Sequence, residues 1–164
     1  MIGRTKANVL WRAFARIVSI MPISLFFMHL ATQVDRRLLR LTNGRLRLSF
    51  VVPMLLLNCR GAKSGELREV PLLYVADGEN VLLIGSNGGK TYAPAWCHNL
   101  RHEPRVSCAL KGRVRQFRAQ ELAGVEREQA WQGAVAVYPG YERYVGRAKR
   151  VIPLFRLVPQ EGGL

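Results

Sequence analysis

The sequence has few acidic residues and no paired cysteines. Of 164 residues, 25 are lysine or arginine and only 11 are aspartate or glutamate, so the formal net charge is +14. Its three cysteines, Cys59, Cys97 and Cys108, share no paired spacing. This disfavours a disulfide framework and predicts a reducing, cytoplasmic location. The excess of positive charge indicates an anionic partner, which could be nucleic acid, a membrane surface or an acidic small ligand.

Several well-known motifs are also missing. His98 and His102 are four residues apart but have no HExxH pattern and no third ligand beside them, so we expect no metal site. No strand-like run is followed by GxGxxG, and Ala62 stands where a P-loop needs a glycine before its lysine, Lys63. Residues 17–31 form the best apolar window, which is shorter than the roughly 20 residues a membrane span requires. Rossmann-type nucleotide binding, triphosphate hydrolysis and a transmembrane helix are therefore disfavoured.

Residues 1–43 are predicted to form two amphipathic helices. Apolar residues recur at three- and four-residue spacing over 7–21 and again over 27–41. Residues 1–47 hold nine basic residues and one acid, which is most of the charge excess. Two interpretations of the first helix stay open. It covers the edge of a core, or residues 1–21 lie on an anionic lipid surface at the inner face of the cell membrane.

Residues 44–164 have the pattern of an α+β, mainly β domain. Asp77-Gly78 between two apolar runs is a hairpin signal, and Pro53 places the first strand at an edge or a bulge. Helices are predicted at 94–103 and 125–138. The predicted strands are 49–58, 70–76, 81–84, 106–110, 113–120 and 151–158. About six strands with hairpin connections predict an antiparallel barrel or meander with helices packed on it.

Two loops combine glycine with a cation, and each follows an apolar run. The first is Gly61–Gly65, which contains Lys63, and the second is Ser86–Lys90. Glycine allows the main chain to approach a ligand closely, backbone N–H groups donate, and the cation supplies charge. The two loops together predict a site for a phosphorylated ligand.

Five motifs follow one another along the chain. They are Leu55-Leu56-Leu57 leading into Gly61-x-Lys63-Ser64-Gly65, Arg68-x-x-Pro71-Leu72, Ser86-x-Gly88-Gly89, Pro94-x-Trp96-x-x-Asn99-Leu100 and Tyr138-Pro139-x-Tyr141-x-x-Tyr144. In order and spacing they resemble the deazaflavin-dependent nitroreductase family over residues 38–159. The resemblance implies a split, FMN-binding-like β-barrel that binds coenzyme F420 and transfers hydride from the reduced deazaflavin to a quinone, nitro compound or activated enone.

The resemblance also implies roles for individual residues. Lys63, Ser64 and Arg68 would meet the phosphate and acidic tail of the cofactor. Ser86 would lie near the deazaflavin ring and, with Tyr141, would bind the acceptor oxygen as hydride arrives. Tyrosines 138, 141 and 144 would form the substrate wall. The remaining cofactor contacts would come from Pro71, Leu72, Asn87, Gly88, Gly89, Lys90, Pro94, Ala95, Trp96 and Asn99.

The chain departs from the family pattern at five positions. The family often has arginine at Ala62, lysine at Asn87, tyrosine at Leu73 and Cys97, and an aliphatic residue at His98. Two anion contacts are therefore missing, and Lys90 is a candidate to replace one of them. A non-catalytic carrier of deazaflavin, flavin or haem is the alternative, with FMN the alternative cofactor. We expect a small-molecule acceptor such as menaquinone, a monomer or homodimer, and no nucleic acid.

Overall fold

The computed structural model describes residue 41 and residues 53–160. The two predicted N-terminal helices and strand residues 49–52 lie outside the described residues, apart from Leu41, which is helical. Within 53–160 the chain forms six strands and three α-helices. The strands are β1 (Met54–Arg60), β2 (Leu67–Asp77), β3 (Asn80–Ile84), β4 (Arg105–Leu110), β5 (Arg113–Glu121) and β6 (Leu154–Pro159); the helices are α1 (Ala95–His102), α2 (Gly124–Val137) and α3 (Gly140–Ala148).

The six strands close into one antiparallel barrel in the order β1-β2-β3-β6-β5-β4, with β4 returning to β1. The predicted split-barrel, α+β class is confirmed. Because β1 pairs with β2 on one side and β4 on the other, the prediction that Pro53 marks an edge or bulge is wrong. Pro53 lies just before β1, where its carbonyl accepts a hydrogen bond from the N–H of Tyr74 at 3.1 Å. Because this proline lies outside the strand, its missing N–H removes no hydrogen bond from the pairing of β1 with its neighbours.

Tight turns connect the hairpins where the sequence predicted them. Asp77 pairs with Asn80 across Gly78, which has a φ of +64°. Between β4 and β5, Lys111 and Gly112 both adopt positive φ. The chain differs from the prediction at the start of β2, which begins at Leu67 rather than at residue 70.

The barrel interior holds the main hydrophobic core. In β3, Val81 and Leu83 point into this core, while Leu82 and Ile84 belong to a second buried cluster. This alternation follows from the two-residue period of a strand. Both faces of β3 are therefore apolar, which explains the continuous hydrophobic run in its sequence.

The second cluster lies on the outer side of β3 and β6, under α2 and α3. It includes Leu154 from β6, Ala134 from α2, and Tyr141 and Ala148 from α3. The sequence predicted a helix at 125–138 and only a helix-to-loop stretch after it, whereas the structure has a separate helix, α3. Helix α3 thus lies beside the point where β3 ends at Ile84 and the second glycine loop begins. None of the helices described for residues 53–160 is both long and apolar enough to cross a bilayer.

Candidate functional site

The loop Gly61–Gly65 joins β1 to β2 and is closed by its own backbone. The N–H of Gly61 donates to the carbonyl of Glu66 at 2.8 Å, and the N–H of Gly65 donates to the carbonyl of Gly61 at 2.8 Å. Helix α1 fixes the loop from outside, because the amide oxygen of Asn99 accepts from the N–H of Ala62 at 3.0 Å. Asn99 is only 9% exposed, so this bond is a buried anchor for the loop.

Cationic side chains surround this first loop. Lys63 is exposed at its tip, and Nη1 of Arg60 donates to the carbonyl of Gly65 at 3.1 Å. Nη2 of Arg68 lies 3.4 Å from Oγ of Ser64 and 2.7 Å from Oε2 of Glu66. An exposed ion pair of this kind contributes little to stability. The guanidinium of Arg68 can therefore exchange Glu66 for an anionic ligand at small cost.

The loop Ser86–Lys90 has a different build, since its backbone turns through left-handed conformations. The φ angles of Asn87, Gly88 and Gly89 are +50°, +63° and +82°. The N–H of Gly89 donates to the carbonyl of Ser86 at 2.9 Å, and that of Lys90 donates to Asn87 at 3.2 Å. Asparagine tolerates this region better than most residues. Nδ2 of Asn87 also donates to the carbonyl of Tyr92 at 3.1 Å. The asparagine that replaces the family's lysine at position 87 therefore has a structural role in this loop.

Arg150 anchors the second loop, and sequence reasoning missed it. Nη2 donates to the carbonyls of Gly85 at 3.0 Å and Ser86 at 3.2 Å, and Nε donates to the carbonyl of Lys90 at 3.1 Å. The loop and this arginine are more than sixty positions apart in the chain. A basic residue after an exposed helix end is typical of a solvated surface, so no local signal indicated the contact.

Helix α1 contacts each of the two loops through a different residue of its buried face. A Cβ added to Gly85 would lie 2.7 Å from Sγ of Cys97, so the second loop begins in close contact with this helix. On the same helix Asn99 holds the first loop, and its Nδ2 lies 3.6 Å from Sγ of Cys59. Burial raises the pKa of Cys97 to about 12 and also raises the pKa of Cys59. Both thiols are therefore protonated near neutral pH.

The other residues expected to form the cofactor groove have mixed surroundings. Trp96 is buried in the barrel core, where its ring meets Phe155 edge-on with centroids 5.7 Å apart. Leu72 packs against the same core, whereas Pro71 is half-buried in β2 opposite Leu56. Pro94 is half-buried and Ala95 exposed at the start of α1. These residues stay predicted cofactor contacts. The buried side chain of Trp96 also packs α1 against the barrel core.

Three tyrosines of the segment 138–144 form one aromatic cluster. The ring centroids of Tyr138 and Tyr141 are 5.1 Å apart, and Tyr144 lies 6.3 Å from Tyr141 and 6.4 Å from Tyr138. Tyr141 is 5% exposed and also meets Trp131 at 6.2 Å, whereas Tyr138 and Tyr144 are half-buried. The predicted substrate wall therefore has two accessible rings in front of a buried one.

Burial also keeps the phenols of Tyr141 and Tyr144 neutral. It is the main cause that raises the pKa of Tyr141 and of Tyr144, and a side-chain hydrogen bond with Tyr138 raises the pKa of Tyr144 further. A neutral phenol retains its proton and can donate a hydrogen bond. The cluster can thus offer O–H groups to a carbonyl or nitro oxygen.

The second loop and the tyrosine cluster are in direct contact. A Cβ on Gly89 would lie 3.1 Å from Cβ of Arg147 and 3.3 Å from Cδ1 of Tyr144, and the φ of Gly89 already favours glycine. By contrast, a Cβ on Gly88 would meet nothing within 4 Å, so this part of the loop faces open space. The structure therefore brings two predicted site regions, one for the cofactor and one for the substrate, to the same place.

The donor set fits a planar ligand with an anionic tail. Gly88 leaves room for close approach, the tyrosines supply flat surfaces with polar tips, and Lys63 and Arg68 supply exposed charge near the first loop. In residues 53–160 no three His, Cys, Asp or Glu side chains lie close enough to hold a metal ion, and His98 and His102 are both exposed. This chemistry suits a phosphorylated aromatic cofactor.

The closed six-stranded barrel with its packed helices defines a split-barrel α+β protein. A solved F420-H2 dependent reductase is similar to this chain with a TM-score of 0.59 and 38% sequence identity, covering 64% of this chain and 93% of that one. Residues 31–159 match the family model described as F420H(2)-dependent quinone reductase. The chain belongs to that family. It is an F420-dependent oxidoreductase, which confirms the predicted cofactor and favours the enzyme over the non-catalytic carrier.

Individual relatives agree with this family. A Mycobacterium tuberculosis (strain H37Rv) protein assigned to the F420H(2)-dependent quinone reductases is 33% identical over 109 residues, which are 66% of this chain and 92% of the relative. An F420H(2)-dependent quinone reductase of the same organism is 42% identical over 67 residues, 40% of this chain and 45% of that one. The haem storage protein HutZ from Vibrio cholerae, at 17% identity and a TM-score of 0.51, covers 67% of this chain and 83% of its own and shows a shared fold alone.

Proposed function

We propose that this chain reduces a quinone with F420H2 bound where the Ser86–Lys90 loop meets the tyrosine cluster. The contact of Gly89 with Tyr144 is the observation that carries the proposal. This contact joins the loop to the helix that carries Tyr144, which supports a cofactor edge on the loop and an acceptor beside the tyrosine cluster. Lys63, Ser64 and Arg68 of the first loop would bind the phosphate and acidic tail, because they are exposed and positively charged overall.

The bound deazaflavin, in its reduced form, supplies the hydride. The protein's task is then to align the acceptor and to stabilise negative charge that develops on the acceptor oxygen. Ser86 was predicted to contribute to this together with Tyr141. Because Tyr141 is buried behind the other two rings, we assign the acceptor contact to Ser86 and Tyr144 and a supporting position to Tyr141. Tyr144 stays protonated near neutral pH, so its O–H can donate to the acceptor in place of its hydrogen bond with Tyr138.

Turnover of a menaquinone analogue with F420H2 tests these roles. We expect Ser86→Ala and Tyr144→Phe each to lower kcat by about tenfold or more, since removing one donor to a developing oxyanion has a large effect on the barrier. Tyr141→Phe keeps the buried ring and should have a smaller effect. Tyr92→Phe is the control, because Tyr92 is 61% exposed. If Ser86→Ala and Tyr144→Phe both matched the wild type, the assignment of roles would be wrong.

The native acceptor and the place of action complete the proposal. We infer a lipid-soluble acceptor of the menaquinone type, supported by the basic, amphipathic pattern of residues 1–21. Flotation with anionic liposomes should fall when residues 1–21 are deleted, and unchanged flotation would contradict the inference.

A homodimer is a further proposal, supported by similarity to a solved domain-swapped dimer. The two chains are 36% identical with a TM-score of 0.63, and the match covers 76% of this chain and 93% of that one. Sedimentation of the full chain tests it.

A further inference from the structure

Arg150 uses all its described hydrogen bonds on backbone carbonyls. Besides the carbonyls of Gly85, Ser86 and Lys90, Nη1 reaches the carbonyl of Val151 at 3.2 Å. Two other arginines pair with acids, Arg101 with Glu121 at 2.6 Å and Arg156 with Asp77 at 2.8 Å, whereas Arg60 and Arg127 each make one described bond to a carbonyl. Arg150 is thus directed at the second loop by geometry rather than by an opposite charge.

The end of α3 places Arg150 in this position. The helix ends at Ala148, and Lys149 follows with a φ of +49°, a conformation that non-glycine residues adopt at some cost. The chain reverses there, so that the next side chain extends back to the Ser86–Lys90 loop. Because the guanidinium is planar and carries five donors, it can bond to several carbonyls at once, which a lysine ammonium at the same site cannot do with the same geometry.

The bonds to Gly85 and Ser86 also fix two N–H groups. In a trans peptide the C=O and the following N–H point in opposite directions. A carbonyl of Gly85 directed at Arg150 therefore turns the N–H of Ser86 away from it, and the carbonyl of Ser86 does the same for the N–H of Asn87. The loop's internal backbone bonds are donated by Gly89 and Lys90, not by these two residues. Polarisation by a charged donor also strengthens the opposite end of an amide.

We propose that Arg150 is a positioning residue that aligns the N–H groups of Ser86 and Asn87 as a pair of donors for the ligand. The proposal rests on the proposed function, since it takes the ligand to be the oxygen-bearing edge of the F420 ring system. Arg150 does not touch the reacting atoms. It sets the donor geometry of the loop that does, and it links that geometry to the end of α3, which carries Tyr144.

Amide hydrogen exchange of the ligand-free protein tests the alignment directly. We expect Arg150→Met to speed exchange at Gly89 and Lys90, whose N–H groups donate to the carbonyls of Ser86 and Asn87, by about tenfold or more, because local opening becomes easier when the loop loses its anchor. Exchange at Leu83 in β3 should stay within about twofold. Arg118→Met, which changes an exposed arginine on β5, is the matched control. Unchanged exchange at Gly89 and Lys90 in Arg150→Met would overturn the proposal.

Titration with oxidised F420 then tests the consequence for binding. Arg150→Met should raise Kd by about tenfold or more, and Arg150→Lys should restore only part of the affinity because one ammonium replaces a planar fork. If Arg150→Met does not fold, Arg150→Lys carries the same two tests with intermediate values expected. A Kd of Arg150→Met for oxidised F420 within about twofold of the wild-type value would overturn the proposal. Failure of the wild type to bind F420 would instead refute the proposed function, while the exchange experiment still decides whether Arg150 aligns the loop.

Discussion

The two glycine loops look alike in sequence but are held in different ways. Gly61–Gly65 is closed by its own backbone and by the buried amide of Asn99. Ser86–Lys90 turns through three consecutive left-handed residues and is held from outside by a guanidinium. The first loop presents exposed cationic side chains, whereas the second presents main chain beside aromatic rings. One loop is suited to an anionic tail, and the other to the ring end of the same ligand.

This difference shows that a glycine-plus-cation pattern has two physical solutions. In the first loop the charges are exposed to solvent and glycine closes the turn. In the second loop Gly89 lies against Tyr144, and the charge of Arg150 acts on the protein's own carbonyls. Changes to the second loop should therefore affect both stability and binding, while changes at the tip of the first should affect binding alone.

The largest effect should come from Gly89→Ala. Its Cβ would press on Arg147 and Tyr144 at a left-handed φ, so backbone strain and overpacking together should cost about 2–4 kcal/mol of unfolding free energy. Binding of F420 should be lost with it. Gly65→Ala is the matched control, since a Cβ there meets nothing within 4 Å and only the strain, about 1 kcal/mol, is added. Urea unfolding of both variants measures the difference, and equal losses would remove the distinction between the loops.

Asn99→Ala should have the next largest effect and should act on the first loop. It removes the buried amide of Asn99, which accepts from the N–H of the half-buried Ala62, and this costs about 1–3 kcal/mol. Amide exchange should rise at Ala62 and stay near the wild-type rate at Gly89. Faster exchange in both loops would show that α1 couples them, contrary to separate anchoring.

The thiol beneath the second loop gives a pH dependence. The pKa of Cys97 is raised from about 9.0 to about 12, so the folded state keeps a proton that the unfolded chain loses. Stability should be unaffected by this group below pH 9 and should fall as pH rises from 9 toward 12, by about 1 kcal/mol per pH unit. The unfolding free energies of the wild type and of Cys97→Ala, measured at pH 8 and pH 10.5, isolate the contribution of the Cys97 thiol to this pH dependence. Parallel losses in both proteins would contradict the burial of this thiol.

The smallest effect on stability should come from Lys63→Gln. Lys63 is exposed at the tip of the first loop, so unfolding free energy should change by less than about 0.5 kcal/mol. Affinity for F420 should fall by about three- to tenfold, and the fall should shrink at high salt because the contact is exposed. Lys111→Gln, in the exposed turn between β4 and β5, serves as the control. Equal affinity for Lys63→Gln and wild type would remove this loop from the cofactor site.

Much of the barrel could be predicted because its strands carry local signals. Alternating apolar residues marked β4 and the start of β5, and Asp77-Gly78 marked the hairpin between β2 and β3. Closure of the barrel through β3 and β6 depends on residues seventy or more positions apart and could not be derived from periodicity. The family resemblance supplied it. Pro53 was misinterpreted because a proline one residue before a strand gives the same pattern as one within it.

The candidate site could be predicted only in part. Its glycines, cations and tyrosines were visible as motifs, but the anchor of each loop is a tertiary contact. Asn99 was expected to touch the cofactor, and the structure shows its amide bonded to Ala62 and close to Cys59. Arg150 had no motif at all. Helix α3 was missed as a separate helix because Pro139 and Gly140 are typical of a break, whereas here they begin the helix.

The most direct test of the account is a titration of the purified protein with F420 and, separately, with FMN, following ligand fluorescence. We expect saturable binding of F420 by the wild type and by Gly65→Ala, and little binding by Gly89→Ala. That result would establish the second loop and the tyrosines beside it as the ring site. Binding of FMN without F420, or undiminished F420 binding by a folded Gly89→Ala, would contradict it.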